Sequence, residues 1–311
     1  MAADSRSAVL AALFANAGIA IAKFVAFLFT GAASMLAESI HSVADSSNQG
    51  LLLLGQHRAR LEPSADYPFG YARERYFWAF AVSVVLFALG GLFSLLEGLQ
   101  KLRHPHEITS VWWAVGVLVM GIVLEAFSLR TAIQASDRAK GRLSWWSFIR
   151  KTKQPELPVV LLEDIGALLG LVAALVAVGL AAVTGDPRFD ALGSLVIGIL
   201  LAAIAAVLAL EMKGLLIGES ARPEDIKAIR RAIEEGPHVR RLIDLKTQHL
   251  GPEELLIGAR VEFDDELDFR EMAKAIDTIE RHLRELLPAS RHLYLEPQLR
   301  SALEGARDKG G

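Results

Sequence analysis

Long apolar runs are the feature that most constrains the fold of this chain. We predict that six of them are membrane-spanning helices, because each has roughly 20 or more residues, the length that a bilayer requires. In chain order, the predicted spans are 8–30, 33–56, 75–100, 110–135, 157–183 and 189–213. The chain is 52% hydrophobic over 311 residues, which is too apolar for an ordinary soluble enzyme of this length. The sequence therefore predicts an integral membrane protein.

The second predicted span carries a stripe of ionisable residues. Glu38, His41 and Asp45 are spaced i, i+3, i+7, so a helix places them along one face. Ionisable residues within hydrocarbon are costly and usually mark an ion pathway or a proton relay. The fifth span is apolar except for Glu163 and Asp164. We expect these two spans to face each other or a water-filled cavity, since neither faces lipid comfortably.

The residue types in the two polar spans indicate a site for a divalent metal. The chain has no cysteine, so any metal site must use nitrogen or oxygen donors, which argues against copper(I). A net charge of −3 with no dominant basic block gives no indication of nucleic-acid binding. The histidine and the aspartate four residues after it are also compatible with a structural hydrogen-bonded pair between helices.

The composition changes after about residue 213 to that of a soluble domain. The predicted elements there are a helix over 223–235, strands over 242–250 and 255–263, a helix over 268–287 with Asp268 as N-cap, and a strand over 291–296. The predicted fold is an all-α six-helix transmembrane domain followed by a small cytosolic α+β domain. The expected divisions are a transport domain over 1–213, the α+β domain over 214–300 and a polar tail over 301–311.

Lysine and arginine residues near the span ends set the expected orientation. The loop after the second span holds four arginines and the loop after the fourth holds six lysine and arginine residues, whereas the loops on the other side hold only Lys101, Arg103 and Arg188. Both termini and the two basic loops are therefore expected to be cytoplasmic, with a bacterial inner membrane as the expected location. In the second basic loop, Trp145-Trp146-Ser-Phe148 indicates either an interfacial segment or aromatic residues packed on protein.

The six spans, the two polar spans and the α-β-β-α-β tail resemble the cation diffusion facilitator family of metal/proton antiporters. The most specific part of the resemblance is His41-x-x-x-Asp45, which in this family supplies half of the transport site. Asp164 matches the aspartate of the other half, but Val160 stands where the family usually has a histidine. Segments 39–50, 161–164 and 190–195 are similar to the zinc transporter 9 branch of the family.

The resemblance implies a homodimer that moves zinc out of the cytoplasm and protons inward by alternating access, with no prosthetic group. The implied metal ligands are His41, Asp45 and Asp164, and Glu163 or water would complete the four donors that zinc favours. Manganese, iron, cobalt and nickel are alternative substrates, because several carboxylates around one histidine also suit harder ions.

Three further acidic residues in the spans have more than one interpretation. Glu38 either orients the imidazole of His41 or gates the site near the outer end of the second span. Glu125, near the middle of the fourth span, either relays protons or pairs with Lys23 of the first. Glu97, in the third span, has the same alternatives.

Two other functional classes compete with transport. A membrane metalloenzyme is not expected, because the chain has no His-Glu-x-x-His motif and no clear nucleophile. A metal-responsive regulator would sense metal in its soluble domain. The histidines that bind zinc there in several bacterial relatives are replaced by Ile243, Ala273 and Tyr294. The remaining histidines of that domain are scattered and are expected at its surface: His249, His282 and His292.

Overall fold

The computed structural model describes residues 33–104 and 111–298, with the backbone alone for residues 33–42 and 44. It also describes isolated helical positions near the start of the chain, namely 9, 10, 13, 14, 16–18, 20–22, 24, 25 and 28. The first predicted span, 8–30, thus lies in part outside the described residues. So do the side chains of Glu38 and His41, residue Lys23 and the predicted tail.

Long helices make up the membrane part of the described chain. They are α1 (Ala33–Arg58), α2 (Glu74–Arg103), α3 (Val111–Lys140), α5 (Glu156–Thr184) and α6 (Arg188–Ile217), with a short helix α4 (Trp145–Lys151) between α3 and α5. Among the described residues, α2, α3, α5 and α6 are long and apolar enough to cross a membrane. Helix α1 is of similar length, but its polar residues make it much less apolar. An all-helical membrane domain is confirmed.

Small residues allow α2 and α6 to approach closely. The middle of α2, Leu86–Leu92, is π-helical and contains Gly91. A Cβ on Gly91 would lie 2.9 Å from the backbone nitrogen of Ala202, and one on Gly198 would lie 2.8 Å from that of Leu95. Both distances are too short for a side chain, so glycine is required at this crossing.

The acidic residue near the end of α2 has a partner on its own helix. Glu97 Oε1 lies 3.2 Å from Lys101 Nζ, and the same ammonium group lies 2.9 Å from Asp190 Oδ2 at the start of α6. This ion-pair network links the two helices at one membrane edge. Among the alternatives weighed for Glu97, the geometry favours a structural pair, formed with Lys101.

A buried ion pair links the starts of α2 and α5. Arg75 donates hydrogen bonds from Nε and Nη2 to the two carboxylate oxygens of Glu156, at 2.5 and 2.8 Å. The side chains of Arg75 and Glu156 are only 10% and 1% exposed. A two-point contact of this kind fixes the relative orientation of the planar groups as well as their distance.

The C-terminal domain is a three-stranded sheet covered by two helices. Its elements are α7 (Pro223–Glu234), β1 (Val239–Gly251), β2 (Glu254–Phe263), α8 (Phe269–Leu286) and β3 (His292–Gln298). Strand β2 is central, antiparallel to β1 and parallel to β3. The core includes Ile229, Ile257, Val261, Ile279 and Leu283, each at most 1% exposed. The predicted α-β-β-α-β order is confirmed, and Asp268 forms the expected capping box with Glu271.

Two features of this domain differ from expectation. His249, predicted at the surface, is buried, with its Nδ1 atom 3.3 Å from the carbonyl oxygen of Gly251. The structure also groups Tyr67–Arg73 with the C-terminal domain, although the predicted division assigns this segment to residues 1–213. The ring of Phe69 packs edge-on against that of His292, at 5.3 Å between centroids. Sequence patterns cannot reveal such a contact, because the two residues are more than 200 positions apart.

We predict that Arg75→Gln strongly destabilises the membrane domain. Removing one partner of a buried pair leaves the carboxylate of Glu156 uncompensated, which costs about 3–5 kcal/mol. Thermal unfolding of the purified full-length protein measures the effect. Arg73→Gln is the matched control, because Arg73 lies two residues away and is exposed. Equal midpoints for the two variants would show that the pair contributes nothing to stability.

Candidate functional site

The described part of α1 presents a polar face roughly three turns before its end at Arg58. Asp45 is half-buried, and Asn48 and Gln49 follow it at i+3 and i+4. A helix therefore places all three on neighbouring positions of one face. Asn48 is 3% exposed and Gln49 is fully buried. Two primary amides are thus enclosed within the protein beside a residue predicted to bind metal.

Glu163 of α5 is held by these two amides. Asn48 Nδ2 donates a hydrogen bond to Glu163 Oε1 at 2.8 Å, and Gln49 Nε2 donates one to Oε2 at 3.0 Å. Glu163 itself is 5% exposed. Both carboxylate oxygens accept, which is the pattern that suits an ionised carboxylate. These two hydrogen bonds join α1 to α5 inside the membrane domain.

Asp164 contacts a different helix. Its Oδ2 atom accepts a hydrogen bond of 2.9 Å from Ser128 Oγ on α3, and both residues are buried. Consecutive positions on a helix differ by about 100°. Glu163 and Asp164 therefore point to different neighbours, one toward α1 and the other toward α3. This divergence means that the two adjacent carboxylates have different surroundings.

The carboxylates of the region are coupled electrostatically. Asp45 repels both Glu163 and Asp164, and Glu125 of α3 repels Glu163. Four acidic residues from α1, α3 and α5 thus lie in one region of the membrane domain. Such an arrangement favours the entry of a cation, because a positive ion relieves the repulsion among the carboxylates.

The structure brings together only part of the predicted site. Asp45, Glu163, Asp164 and Glu125 lie in one region, whereas the side chains of His41 and Glu38 are outside the described residues. Among the described side chains, no three His, Asp or Glu residues are arranged closely enough to hold a metal ion. Val160 is buried one turn before Asp164.

Sequence patterns did not predict the hydrogen-bond partners of the two α5 carboxylates. Asn48 and Gln49 attract notice only as further polar residues of an already polar span, and Ser128 carries no signal at all because serine is common in membrane helices. Each was identifiable only from its hydrogen bond. The amide oxygens Asn48 Oδ1 and Gln49 Oε1 are buried and accept no hydrogen bond within the described structure.

Apolar membrane helices that enclose several carboxylates, joined in the chain to a small α+β domain, are typical of integral membrane proteins that carry ions. Residues 9–217 match the family described as the cation efflux transmembrane domain, and residues 221–296 match the cytoplasmic domain of cation efflux proteins. The chain belongs to the cation efflux family, as the resemblance of its second span implied. The family consists of transporters and not of enzymes.

Several relatives are similar over most of the chain. The proton-coupled zinc antiporter SLC30A9, mitochondrial, of Homo sapiens is 34% identical over 283 residues, which are 87% of this chain and 50% of that protein. Its Xenopus laevis counterpart is 36% identical over 86% of this chain and 48% of its own length. This chain thus spans about half the length of those relatives. The cation-efflux pump FieF of Klebsiella pneumoniae is 28% identical over 92% of this chain and 90% of the pump.

We predict that Asn48→Leu and Gln49→Met each destabilise the protein by about 1.5–3 kcal/mol, the usual contribution of a hydrogen bond to a charged group. Both changes keep side-chain volume while removing one donor from Glu163. Thermal unfolding of the purified protein provides the measurement. Ser47→Ala is the control, because Ser47 is exposed and donates only to the Val43 carbonyl of its own helix.

The triple variant Asn48→Leu, Gln49→Met, Glu163→Leu separates this effect from simple packing. Replacing all partners of a buried polar contact by apolar groups is often nearly neutral. We therefore expect the triple variant to recover much of the stability that the single variants lose. Additive losses would contradict the assigned hydrogen bonds.

Proposed function

We propose that this protein exports a divalent metal ion, zinc first, from the cytoplasm in exchange for protons. The observation that carries the proposal is the buried carboxylate pair Glu163–Asp164, on which Asp45 of a second helix acts electrostatically. Ionisable groups at this depth are rare, since an uncompensated charge in the membrane interior is costly. A transported cation supplies the compensation.

The ligands in this proposal are His41, Asp45 and Asp164. Asp45 and Asp164 belong to different helices, so a metal between them would bridge α1 and α5. Glu163 is a fourth candidate, although in the described arrangement both its oxygens accept hydrogen bonds from amides. Each oxygen keeps a further lone pair for a metal, but the two amide bonds restrict how far the carboxylate can turn toward one. Asp164 gives up only a serine hydroxyl when it turns to a metal.

Proton exchange follows from the chemistry of the ligands. Metal binds neutral imidazole and ionised carboxylates, so protons and metal compete for the same groups. His41 is the proposed shared group, because imidazole titrates near physiological pH. Glu125 is the proposed proton relay on the α3 side, and Glu38 the residue that orients His41 or gates the site. The names of the human and frog relatives describe proton-coupled zinc antiport, which supports this assignment.

The remaining parts of the proposal concern assembly and location. A homodimer is proposed on the match to the cytoplasmic domain of cation efflux proteins. Manganese, iron, cobalt and nickel remain candidate substrates, because the set of donors is rich in carboxylates. The basic loops favour cytoplasmic termini, and a bacterial inner membrane stays a prediction. A metal-responsive regulator is the second functional class, and metal flux separates it from a transporter.

We predict that Asp45→Ala and Asp164→Ala each abolish metal uptake into everted vesicles while leaving a folded protein. Each variant removes a charged donor from a region organised around a cation. Zinc uptake driven by an imposed pH gradient is the measurement, normalised to the amount of folded protein. Asp137→Ala is the control, since Asp137 is an exposed carboxylate at the end of α3.

Collapsing the pH gradient with an ionophore tests the coupling in the same vesicles. Uptake by the wild-type protein should then slow. Wild-type uptake that depends only on membrane potential would argue against proton exchange, and absence of uptake under any gradient would favour the regulator. Wild-type transport rates in both aspartate variants would show that the assigned ligands are wrong.

We predict that Val160→His shifts selectivity toward zinc. Val160 precedes Asp164 by one turn, so an imidazole there lies on the same face and raises the nitrogen share of the metal shell. If Glu163 stands in for the missing histidine, Glu163→Ala weakens metal binding and Val160→His partly restores it. If Glu163 only joins α5 to α1, Glu163→Ala lowers stability and leaves metal affinity per folded molecule unchanged. Calorimetric titrations of zinc and manganese into the single and double variants distinguish these outcomes.

A further inference from the structure

Helix α4 lies between two helices that are long and apolar enough to cross the membrane. Residues 141–155 connect the end of α3 to the start of α5, so this short segment lies on the side of the membrane where α3 ends and α5 begins. Arg150 Nε lies 3.5 Å from Glu211 Oε1 near the end of α6, which places that end of α6 at the same membrane face. These connections place α4 on one side of the membrane, near the ends of three of its helices.

One side of α4 is anchored in the protein. Phe148 is 2% exposed and packs in a small core with Ala135 and Leu157, the ends of the two neighbouring helices. The helix is capped by Ser144, whose Oγ atom accepts from the backbone nitrogen of Ser147. Lys140 Nζ lies 5.0 Å from the centre of the Trp145 ring, a cation–π distance. These contacts hold α4 in one orientation.

The other side of α4 combines an exposed indole with cations. Trp146 is 58% exposed, and Arg142, Arg150 and Lys151 are exposed. Trp146 and Arg150 are one turn apart on α4, Lys151 follows Arg150 directly, and Arg142 lies in the turn that precedes the helix. The sequence from 138 to 155 contains six lysine and arginine residues and no acidic residue. Of the two readings of this aromatic loop, packing on protein thus applies to Phe148 and an interfacial position to Trp146.

We propose that Arg142, Trp146, Arg150 and Lys151 form a binding surface for the headgroups of anionic phospholipids in the adjacent leaflet. Indole rings favour the headgroup region, where an apolar ring and a polar N–H are both accommodated. Clustered Lys and Arg side chains beside a membrane helix bind anionic headgroups. Charge complementarity and continuity with two spans select lipid as the partner of this surface.

Such binding would couple lipid composition to the transport region. Helix α4 joins α3, which holds Ser128, to α5, which holds Glu163 and Asp164. A lipid bound to α4 therefore restrains the connection between two helices that surround the carboxylates. The surface and its lipid affinity do not depend on which ion is transported. A negative result for lipid binding therefore leaves the proposed function untouched, and the reverse also holds.

Native mass spectrometry of the full-length protein, titrated with phosphatidylglycerol and with phosphatidylcholine, tests the surface. We expect the variant Arg142→Gln, Arg150→Gln, Lys151→Gln to bind phosphatidylglycerol about tenfold more weakly or worse, because each cation near an anionic surface contributes roughly a factor of five. Binding of phosphatidylcholine should not change. Arg270→Gln, Lys274→Gln, Arg281→Gln on α8 is the matched control, which removes three exposed cations elsewhere.

Two further measurements keep the test independent of folding. Arg142→Lys, Arg150→Lys preserves the charge and should retain affinity within about threefold, since a headgroup phosphate also accepts a point charge. In the wild-type protein, raising the salt concentration should weaken the binding of phosphatidylglycerol but not of phosphatidylcholine. Equal phosphatidylglycerol affinity in the glutamine variant and its control would overturn the proposal. A shift in oligomeric state with unchanged lipid affinity would instead assign the surface to a second copy of the chain.

Discussion

The membrane domain depends on supplying partners to carboxylates that are buried away from water. A buried charge without donors would cost several kcal/mol, and here the donors come from neighbouring helices. Asn48 and Gln49 of α1 bind Glu163, and Ser128 of α3 binds Asp164. These bonds tie α1 and α3 to α5 at defined positions. Lipid solvates apolar helices equally well whether they are packed together or separate. The polar residues therefore specify how these helices are arranged.

Helix α5 is the element on which these contacts converge. At its start, Glu156 is bound by Arg75 of α2, and seven residues later Glu163 is bound by α1. Gly166 then permits close packing on α6, since a Cβ there would lie 2.8 Å from Ile204. A rotation or tilt of α5 would therefore break or exchange its hydrogen bonds with α1, α2 and α3. Alternating access by such a domain would require those exchanges, with metal and protons taking over as partners of the carboxylates.

Glu163 and Asp164 are adjacent on α5 but serve different purposes, because consecutive helix positions point to different neighbours. Glu163 uses both oxygens to hold α1, whereas Asp164 contacts a single hydroxyl and keeps its other oxygen for a further partner. The proposed metal site therefore needs less rearrangement at Asp164 than at Glu163. Val160 offers no nitrogen donor one turn before Asp164, so the proposed site depends on His41 for nitrogen and on carboxylates for its other donors.

The sequence alone determined the class of protein, the apolar helices and the order of elements in the C-terminal domain, because hydrophobic runs and two- or four-residue periodicities are local properties of the chain. It also identified Asp45, Glu163 and Asp164 as unusual, since carboxylates in apolar segments are conspicuous. The tertiary structure decided which helix each carboxylate contacts and that Arg75 reaches Glu156. It also decided that His249 is buried, and that Trp146 is exposed while Phe148 is buried. Those outcomes depend on contacts between residues distant in the chain or on which side of a short helix is covered, and no local pattern encodes either.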